Sequence, residues 1–323
     1  MFGDGTLAEF SFLDVAVCTT IVVTDRRTEG RRMMGANTLM TSQHKSFALV
    51  LSGGGARGLS HVGVLRALIS LGYFPSAIVG VSMGAVVGAT YSLNPNWYRD
   101  LVEMDTSGFP STPNFRGRSI AERVRGLAIA LLAARDMYFG WGAGARTESW
   151  GRGVLAALTK GKNLEDGSIP VFVCTTDVLS GERVVHNRGL AANYVYASAA
   201  LAGILPPLID GSHVLMDGAY ADIAPIDVAR STGVDVVIAV DPSQPEAGIA
   251  PRNGVQAMLR SIEICQNEHA RLRFGQADMV IRPKFRNTIG TLEFRYKRQC
   301  IASGTMAVRR SGDQIRTLLN RGT

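Results

Sequence analysis

The chain has 323 residues, of which 46% are hydrophobic and 19% are charged, and these values exclude a largely disordered protein. Its 34 Lys and Arg residues exceed its 27 Asp and Glu residues, which gives a net charge of +7. This excess favours contact with an anionic surface, but by itself it identifies neither a membrane nor nucleic acid as the partner.

Residues 1–45 are predicted to form an extension that precedes the main domain. The most apolar stretch of this extension, residues 10–24, contains Asp14, is too short to span a bilayer and follows no basic segment. We therefore predict neither a signal peptide nor a transmembrane helix, and we expect a cytoplasmic protein with at most peripheral membrane contact. The wide spacing of the cysteines argues against a zinc site or a disulfide scaffold and for a reducing compartment. They are Cys18, Cys174, Cys265 and Cys300.

Strands and helices are predicted to alternate from residue 46 onward. "SFALVLS" and "AIVGVS" are typical of short buried strands, and each is followed by apolar residues at helical spacing. This alternation predicts an α/β fold with three layers, α/β/α, around a mainly parallel central sheet. Further strands are predicted in "IPVFVCTT", "ERVVHN", "VDVVIAVD" and "ADMVIRP". Further helices are predicted in "AANYVYASAALAG" and "IASGTMAVRRSGDQIRTLL". A turn that leads into a helix is predicted in "VLMDGAYADIAPIDVARSTG".

The segment 112–152 departs from this pattern. It contains seven arginines against three acidic residues, and its middle predicts an apolar helix followed by a glycine-rich loop that carries Trp141. A long apolar face with Arg and Trp is typical of a lid or a membrane-facing insertion. A core helix with solvated arginines is the alternative, and the sequence leaves both open.

The glycine-rich stretch Gly53–Gly58 lies between the first strand and the first helix. Bare glycine amides at this position indicate a site for a negative charge, which could be a pyrophosphate, a nucleotide phosphate or an oxyanion formed during a reaction. A dinucleotide site also needs an acidic residue at the end of the second strand, where this chain has Gly80-Val81-Ser82. A nucleotide-binding loop needs Gly-Lys-Ser/Thr, where this chain has Arg57-Gly58-Leu59. The oxyanion is the remaining interpretation.

A second motif, Gly80-Val81-Ser82-Met83-Gly84, fits G-x-S-x-G and lies between a predicted strand and a predicted helix. This is the context of a nucleophile elbow, in which a tight turn exposes the serine hydroxyl and flanking glycines let the strand and helix approach. Ser82 is therefore the candidate nucleophile. Gly53, Gly54 and Gly55 are then the candidate donors to an oxyanion.

A serine nucleophile needs a group that accepts its proton. Among the histidines, only His269 comes late enough for a Ser–Asp–His order, and its surroundings predict an ordinary charged helix; His61 is expected to pack or cap near the glycine motif. Asp217 ends an apolar run and precedes a glycine, so a poorly solvated site would raise its proton affinity. A simple Asp-Gly turn is the structural alternative for Asp217.

The ordered motifs at 53–58, 80–84 and 217–219 together resemble the patatin-like phospholipases, most closely their small single-domain bacterial members. The resemblance spans residues 46–320 and includes "TTDVLSGERVV", "ASAALAGILPP" and "VDVVIAVD". It implies a Ser–Asp dyad without histidine or metal. The implied roles are Ser82 as nucleophile, Asp217 as general base, Gly53, Gly54 and Gly55 as the oxyanion hole, and Arg57, Gly58, Gly80, Gly84 and Gly218 as support of the motifs.

The resemblance further implies hydrolysis of fatty acyl esters of phospholipids or lysophospholipids through an acyl-enzyme, without a cofactor. Its implied partner is the lipid substrate, with no role for nucleic acid, and it does not predict an oligomeric state. Peripheral contact with an anionic membrane is favoured by the excess of basic residues. A soluble esterase or thioesterase, and a non-catalytic regulatory protein that binds a membrane or another protein, remain the alternatives. Two departures from the family pattern are Ala219 in place of a second glycine, and Asp222 and Ile223 before Pro225, where an asparagine commonly precedes the proline.

Overall fold

The computed structural model describes residues 44–108, 145–244 and 254–320, together with Arg135 and Pro251. Nearly all of the predicted extension lies outside these residues. So does the predicted segment 112–152, except for Arg135 and for residues 145–152, which belong to a helix.

The described residues contain an eight-stranded sheet with the order β5-β6-β3-β2-β1-β7-β8, in which β4 also pairs with β3. Strands β3, β2, β1, β7 and β8 run parallel, whereas β4 and β6 lie antiparallel to β3, and β5 lies antiparallel to β6. This confirms the predicted mainly parallel sheet. The strands are β1 Phe47–Leu51, β2 Ala77–Val81, β3 Val171–Asp177, β4 Arg183–His186, β5 Leu208–Asp210, β6 His213–Asp217, β7 Val236–Val240 and β8 Met279–Ile281.

Helices cover both faces of this sheet, as the side chains of β1 demonstrate. Phe47, Leu49 and Leu51 belong to one buried cluster, and the alternate residues Ala48 and Val50 belong to a second. Because successive side chains of a strand point to opposite faces, the two clusters are the two cores of a three-layer fold. The helices are α1 Ser60–Ser70, α2 Met83–Leu93, α3 Trp97–Glu103, α4 Ala145–Thr159, α5 Ala191–Ser198, α6 Ile226–Arg230, α7 Gly254–Phe274, α8 Lys297–Arg310 and α9 Gly312–Leu319.

Two predicted helices differ from those observed. The helix predicted over "AANYVYASAALAG" ends at Ser198, and the backbone turns from Ala199 toward β5. The predicted C-terminal helix is divided at Ser311 into α8 and α9, because the φ and ψ angles of Ser311, −97° and 8°, are not helical. Among the described residues, none of the helices has both the length and the hydropathy that crossing a bilayer requires.

The hairpin of β5 and β6 was not predicted, and it determines where the site forms. Strand β2 pairs with β3 up to Val81 opposite Cys174, whereas β6 approaches β3 from the other direction and pairs Asp217 with Thr175. Strand β4 occupies the opposite edge of β3 over residues 173–176, which overlap both pairings. The carboxyl ends of β2 and β6 therefore meet end to end beside β3.

Candidate active site

Ser82 lies between the end of β2 and the start of α2. Its φ and ψ angles are 54° and −124°, a sparsely populated conformation that costs about 1–3 kcal/mol for a residue with a side chain. The turn is tight, because a Cβ on Gly84 would lie 1.9 Å from the carbonyl oxygen of Leu51. Gly80 lies in β2, where a Cβ would come within 2.6 Å of Ala85 Cα. The backbone is thus that of a nucleophile elbow.

The hydroxyl of Ser82 donates a hydrogen bond to Asp217, with 2.8 Å between Oγ and Oδ2. Both residues are buried, with 8% of Ser82 and 1% of Asp217 exposed. The other carboxylate oxygen, Oδ1, accepts a hydrogen bond of 2.9 Å from the Ala219 amide. The turn after Asp217 needs Gly218, because a Cβ there would lie 2.2 Å from the Cys174 carbonyl oxygen. The carboxylate is therefore held in one orientation toward the hydroxyl.

Burial raises the pKa of Asp217 to about 6, although the hydrogen bonds from Ala219 and Ser82 favour the charged form and oppose this effect. At neutral pH the group is thus mostly ionised, with a higher proton affinity than an ordinary aspartate. A carboxylate with these properties, in contact with a hydroxyl, has the geometry and the basicity of a general base.

The glycine loop, residues Gly53–Gly58, faces the same space as Ser82 and Asp217. Gly53, Gly54 and Gly55 line one cavity together with Ser82 and Asp217. Gly55 has a φ of +52°, which favours glycine, and a Cβ there would lie 2.3 Å from the carbonyl oxygen of Thr291. The predicted site residues are therefore brought together.

The three loop glycines are not equivalent as donors. The Gly53 amide already donates to the Ile223 carbonyl oxygen at 3.3 Å, so a role of Gly53 as an oxyanion donor stays a prediction that would require this hydrogen bond to be released. Within the described residues, the amides of Gly54 and Gly55 donate to no acceptor, and these two remain as candidate donors.

Arg57 braces the loop from within the protein. It is buried, donates from Nη1 to the Ile289 carbonyl oxygen at 3.0 Å, and forms an ion pair with Glu263 of α7. Gly58 lets the loop approach α2, because a Cβ there would lie 2.6 Å from Met83 Cβ. Arg57 thus supports the loop, and its guanidinium is engaged by the protein.

Sequence reasoning missed Ser198, at the end of α5. Its hydroxyl donates to the Cys174 carbonyl oxygen at 2.6 Å and accepts a hydrogen bond from the Ser82 amide at 2.9 Å. Ser198 therefore links the elbow to β3. It lies in "ASAALAGILPP", a segment that contributes to the family resemblance but for which the sequence predicts no function.

Two arginines hold the segment after Asp217. Arg183 and Arg273 each donate to Oδ2 of Asp222 at 2.6 Å, and both also pair with Asp227. Asp222, which departs from the family pattern, is thus accommodated in the fold, because the guanidinium groups of Arg183 and Arg273 neutralise its buried carboxylate.

Within the part of the chain that the structure describes, no histidine takes part in the hydrogen bond between Ser82 and Asp217. His61 is fully buried, and burial lowers its pKa to about 4, so the neutral ring donates from Nε2 to the Ser52 carbonyl oxygen at 2.9 Å. His269 lies in α7, and within the described residues no histidine forms a hydrogen bond with Ser82. Within the same residues, no three His, Cys, Asp or Glu side chains are grouped as metal ligands.

Two cavities meet at Ser82, Gly55 and Leu201. One is almost wholly apolar and extends between α2, α4 and α5. The other lies on the side of the glycine loop and Asp217 and presents polar groups from the loop after β7 and from α7. The polar lining of the second cavity includes Asp241, Ser243, Glu263, Gln266 and Asn267.

The chain is similar in sequence to a known protein family. The family model for patatin-like phospholipases matches residues 49–230, which is more than half of the chain. Lysophospholipase NTE1 of Pyricularia oryzae is 34% identical over 197 residues, and patatin-like phospholipase domain-containing protein 7 of Rattus norvegicus is 35% identical over 202 residues, each alignment covering 61% of this chain. The aligned part is 12% and 13% of those proteins, so the chain spans about an eighth of their length. Among solved structures, VipD from Legionella pneumophila has 15% identity and a TM-score of 0.47, with 91% of this chain and 72% of that chain covered.

Proposed function

Because the chain belongs to the patatin-like phospholipase family, we propose that it is a serine acyl hydrolase that cleaves fatty acyl esters of lysophospholipids or phospholipids. The observation that carries this proposal is the 2.8 Å hydrogen bond from Ser82 Oγ to the buried carboxylate of Asp217, in a cavity shared with the glycine loop. The names of the relatives, lysophospholipase and patatin-like phospholipase domain-containing protein, support the same substrate class.

The proposed reaction has two stages. Ser82 Oγ attacks the ester carbonyl carbon as its proton passes to Asp217 Oδ2, and the resulting oxyanion accepts hydrogen bonds from the Gly54 and Gly55 amides. The intermediate collapses to an acyl-enzyme, and the alcohol leaves with the proton from Asp217. Water then gives a proton to Asp217 and attacks the acyl carbon. The fatty acid departs and Ser82 recovers its proton.

The two cavities at Ser82 are the proposed binding sites for the acyl chain and the alcohol of the ester. The apolar cavity beside Ser82 suits the part of an acyl chain next to the ester carbonyl, since burial of each methylene group contributes about 0.8 kcal/mol. The polar cavity on the other side of Ser82 suits the leaving alcohol, because its carboxylate and amide groups accept hydrogen bonds from glycerol hydroxyls. An ester whose carbonyl lies at Ser82 would thus place its acyl chain and its alcohol in different cavities.

A lipid panel tests this assignment. The purified 323-residue chain is incubated with palmitoyl lysophosphatidylcholine, dipalmitoyl phosphatidylcholine and p-nitrophenyl acetate, and fatty acid or nitrophenol is measured. We expect kcat/KM to be highest for a lipid ester. A soluble esterase would instead favour the short ester, and a non-catalytic regulatory protein would release no product from any substrate.

The pH dependence of the reaction is expected to report Asp217. The base must be ionised, and its pKa is raised to about 6, so kcat/KM should fall about tenfold per pH unit below that pH and be level above it. The profile is measured on a lysophospholipid with verification that the protein stays folded. Activity that is constant from about pH 5 to 8 would contradict a base with this pKa.

Filling the apolar cavity is expected to change the acyl-chain preference. Gly151 of α4 lines this cavity, and a Cβ there would be 3.8 Å from Tyr196, an ordinary contact, so a larger side chain enters the cavity without a clash at Cβ. Gly151→Leu should lower kcat/KM for a palmitoyl ester by about tenfold or more, and change that for an acetyl ester much less.

Gly153 provides the matched control. It lies on the same helix, does not line the cavity, and a Cβ there would meet no atom within 4 Å. Gly153→Leu should leave the ratio of palmitoyl to acetyl turnover unchanged. If Gly151→Leu also left this ratio unchanged, the apolar cavity would not be the acyl site.

A further inference from the structure

Helices α1 and α8 pack against each other at two glycines. A Cβ on Gly63 would lie 1.9 Å from the Ile301 carbonyl oxygen, and a Cβ on Gly304 would lie 1.9 Å from the Ser60 carbonyl oxygen. The backbones therefore touch at this point of closest approach. Packed helices diverge away from their closest approach, and what fills the resulting wedge depends on the side chains there.

The wedge between the last turns of α1 and α8 contains a cavity of about 620 Å³, against about 60 and 70 Å³ for the two cavities at Ser82. It stays open because small residues form part of its wall, among them Ala67, Ser70 and Gly312. None of its lining residues is shared with the cavities at Ser82. Its volume is in the range of small-molecule sites, about 300–1,000 Å³.

The charge of this cavity is positive. Arg66 of α1, Arg309 of α8 and Arg316 of α9 line it, and Asp313 is its acidic lining residue. The Asp313 side chain is 98% exposed and lies 3.5 Å from Arg316, so it neutralises that arginine only weakly. Within the described residues, Arg309 forms no ion pair or hydrogen bond through its guanidinium. Three guanidinium groups at one cavity fit an anion with several oxygens.

An aromatic ring borders the same cavity. The guanidinium of Arg66 lies over the ring of Tyr98, with its carbon atom 4.9 Å from the ring centroid. This contact fixes the position of Arg66 and leaves its N–H groups available to a ligand, since the ring interacts with the face of the guanidinium. Within the described residues, the Tyr98 hydroxyl donates to no protein acceptor.

We propose that this cavity binds a phosphorylated ligand, whose phosphate groups are held by Arg66, Arg309 and Arg316 and whose organic part lies against Tyr98. The shared chemistry is an organic phosphate, which either a soluble metabolite or a lipid headgroup can supply. The site is separate from the proposed hydrolase site and does not depend on that function.

The test is a binding measurement on the full 323-residue chain. The soluble probes are pyrophosphate and ATP, titrated by calorimetry without metal. The lipid probe is a phosphatidylcholine vesicle containing phosphatidylinositol 4-phosphate, measured by co-flotation. We expect saturable binding of at least one probe, weakened about tenfold or more by Arg309→Gln and by Arg316→Gln, since a charge-assisted hydrogen bond contributes about 1.5–3 kcal/mol.

Arg310→Gln is the matched control, because Arg310 is the exposed neighbour of Arg309 on α8 but does not line the cavity. It should change the affinity less than about twofold, since it removes only a distant screened charge. Binding of only the vesicle assigns the phosphate to a headgroup, and binding of only a soluble probe assigns it to a metabolite. No saturable binding of any probe, or equal weakening by the Arg309 and Arg310 variants, would overturn the proposal.

Discussion

Replacing Asp217 with asparagine is expected to lower kcat/KM for ester hydrolysis by about 10²- to 10⁴-fold without destabilising the protein. The asparagine side chain has nearly the same shape as the aspartate and keeps an oxygen that can accept the Ala219 amide hydrogen bond. It cannot take the proton of Ser82, so the hydroxyl would have to attack in its weakly nucleophilic neutral form. The loss should appear in both kcat and kcat/KM.

The stability of this variant follows from the pKa of Asp217. The folded protein raises that pKa from 3.8 to about 6, so it binds the proton more strongly than the unfolded chain does. The free energy of unfolding therefore decreases as pH rises from about 4 to about 6, and at neutral pH the buried charge costs on the order of 3 kcal/mol. Asparagine removes this cost, so its Tm at neutral pH should equal or exceed that of the wild type.

Asp210→Asn is the matched control for this prediction, because Asp210 lies in the same β5–β6 hairpin and its carboxylate faces the exposed Tyr194 hydroxyl. It should retain wild-type activity. An active Asp217→Asn variant would reject Asp217 as the base. A folded but inactive Asp217→Asn variant with a raised Tm would agree with both parts of the prediction.

Replacing Ser82 with alanine is expected to lower kcat by about 10⁴-fold or more, because no acyl-enzyme can form without its hydroxyl. The fold should persist, although alanine must adopt the same left-handed φ of 54° as the serine. Combining the substitution with Asp217→Asn should cost little more than Ser82→Ala alone, because the two side chains act as one unit. Additive losses would contradict a shared catalytic step.

Ser198→Ala gives a graded comparison with Ser82→Ala. Ser198 contacts the amide of Ser82 and not its hydroxyl, so its loss removes a brace of the elbow and leaves the nucleophile in place. We expect a decrease in kcat of about fivefold, since one buried hydrogen bond contributes about 1 kcal/mol. A complete loss would place Ser198 in the reaction itself.

The parallel part of the fold could be predicted because its strands are continuous apolar runs. "ALVL", "VVIAV" and "VFVC" have this pattern, and each lies in an observed strand of the sheet. The β5–β6 hairpin could not be predicted in the same way. Its strands are short and partly exposed, and the order of pairing depends on β3, which comes about forty residues earlier.

The sequence predicted from its motifs that Ser82 and Asp217 act together. The structure gives the reason why they lie close together, which is that the carboxyl ends of β2 and β6 meet end to end. The residues that position this pair were missed because they come from distant parts of the chain. Ser198 is 116 positions from Ser82, and the pair Arg57–Glu263 spans 206 positions. Neither spacing produces a local pattern that the sequence alone could reveal.

Covalent labelling with a fluorophosphonate tests most directly whether a carboxylate-activated serine operates beside the glycine loop. The 323-residue chain is treated with the probe at neutral pH, and the modified residue is located by peptide mass spectrometry. We predict a single adduct on Ser82, formed far more slowly in Asp217→Asn and absent in Ser82→Ala. An adduct on a different residue, or an unlabelled wild-type protein that still hydrolyses the lipid, would contradict the account of a serine nucleophile activated by Asp217.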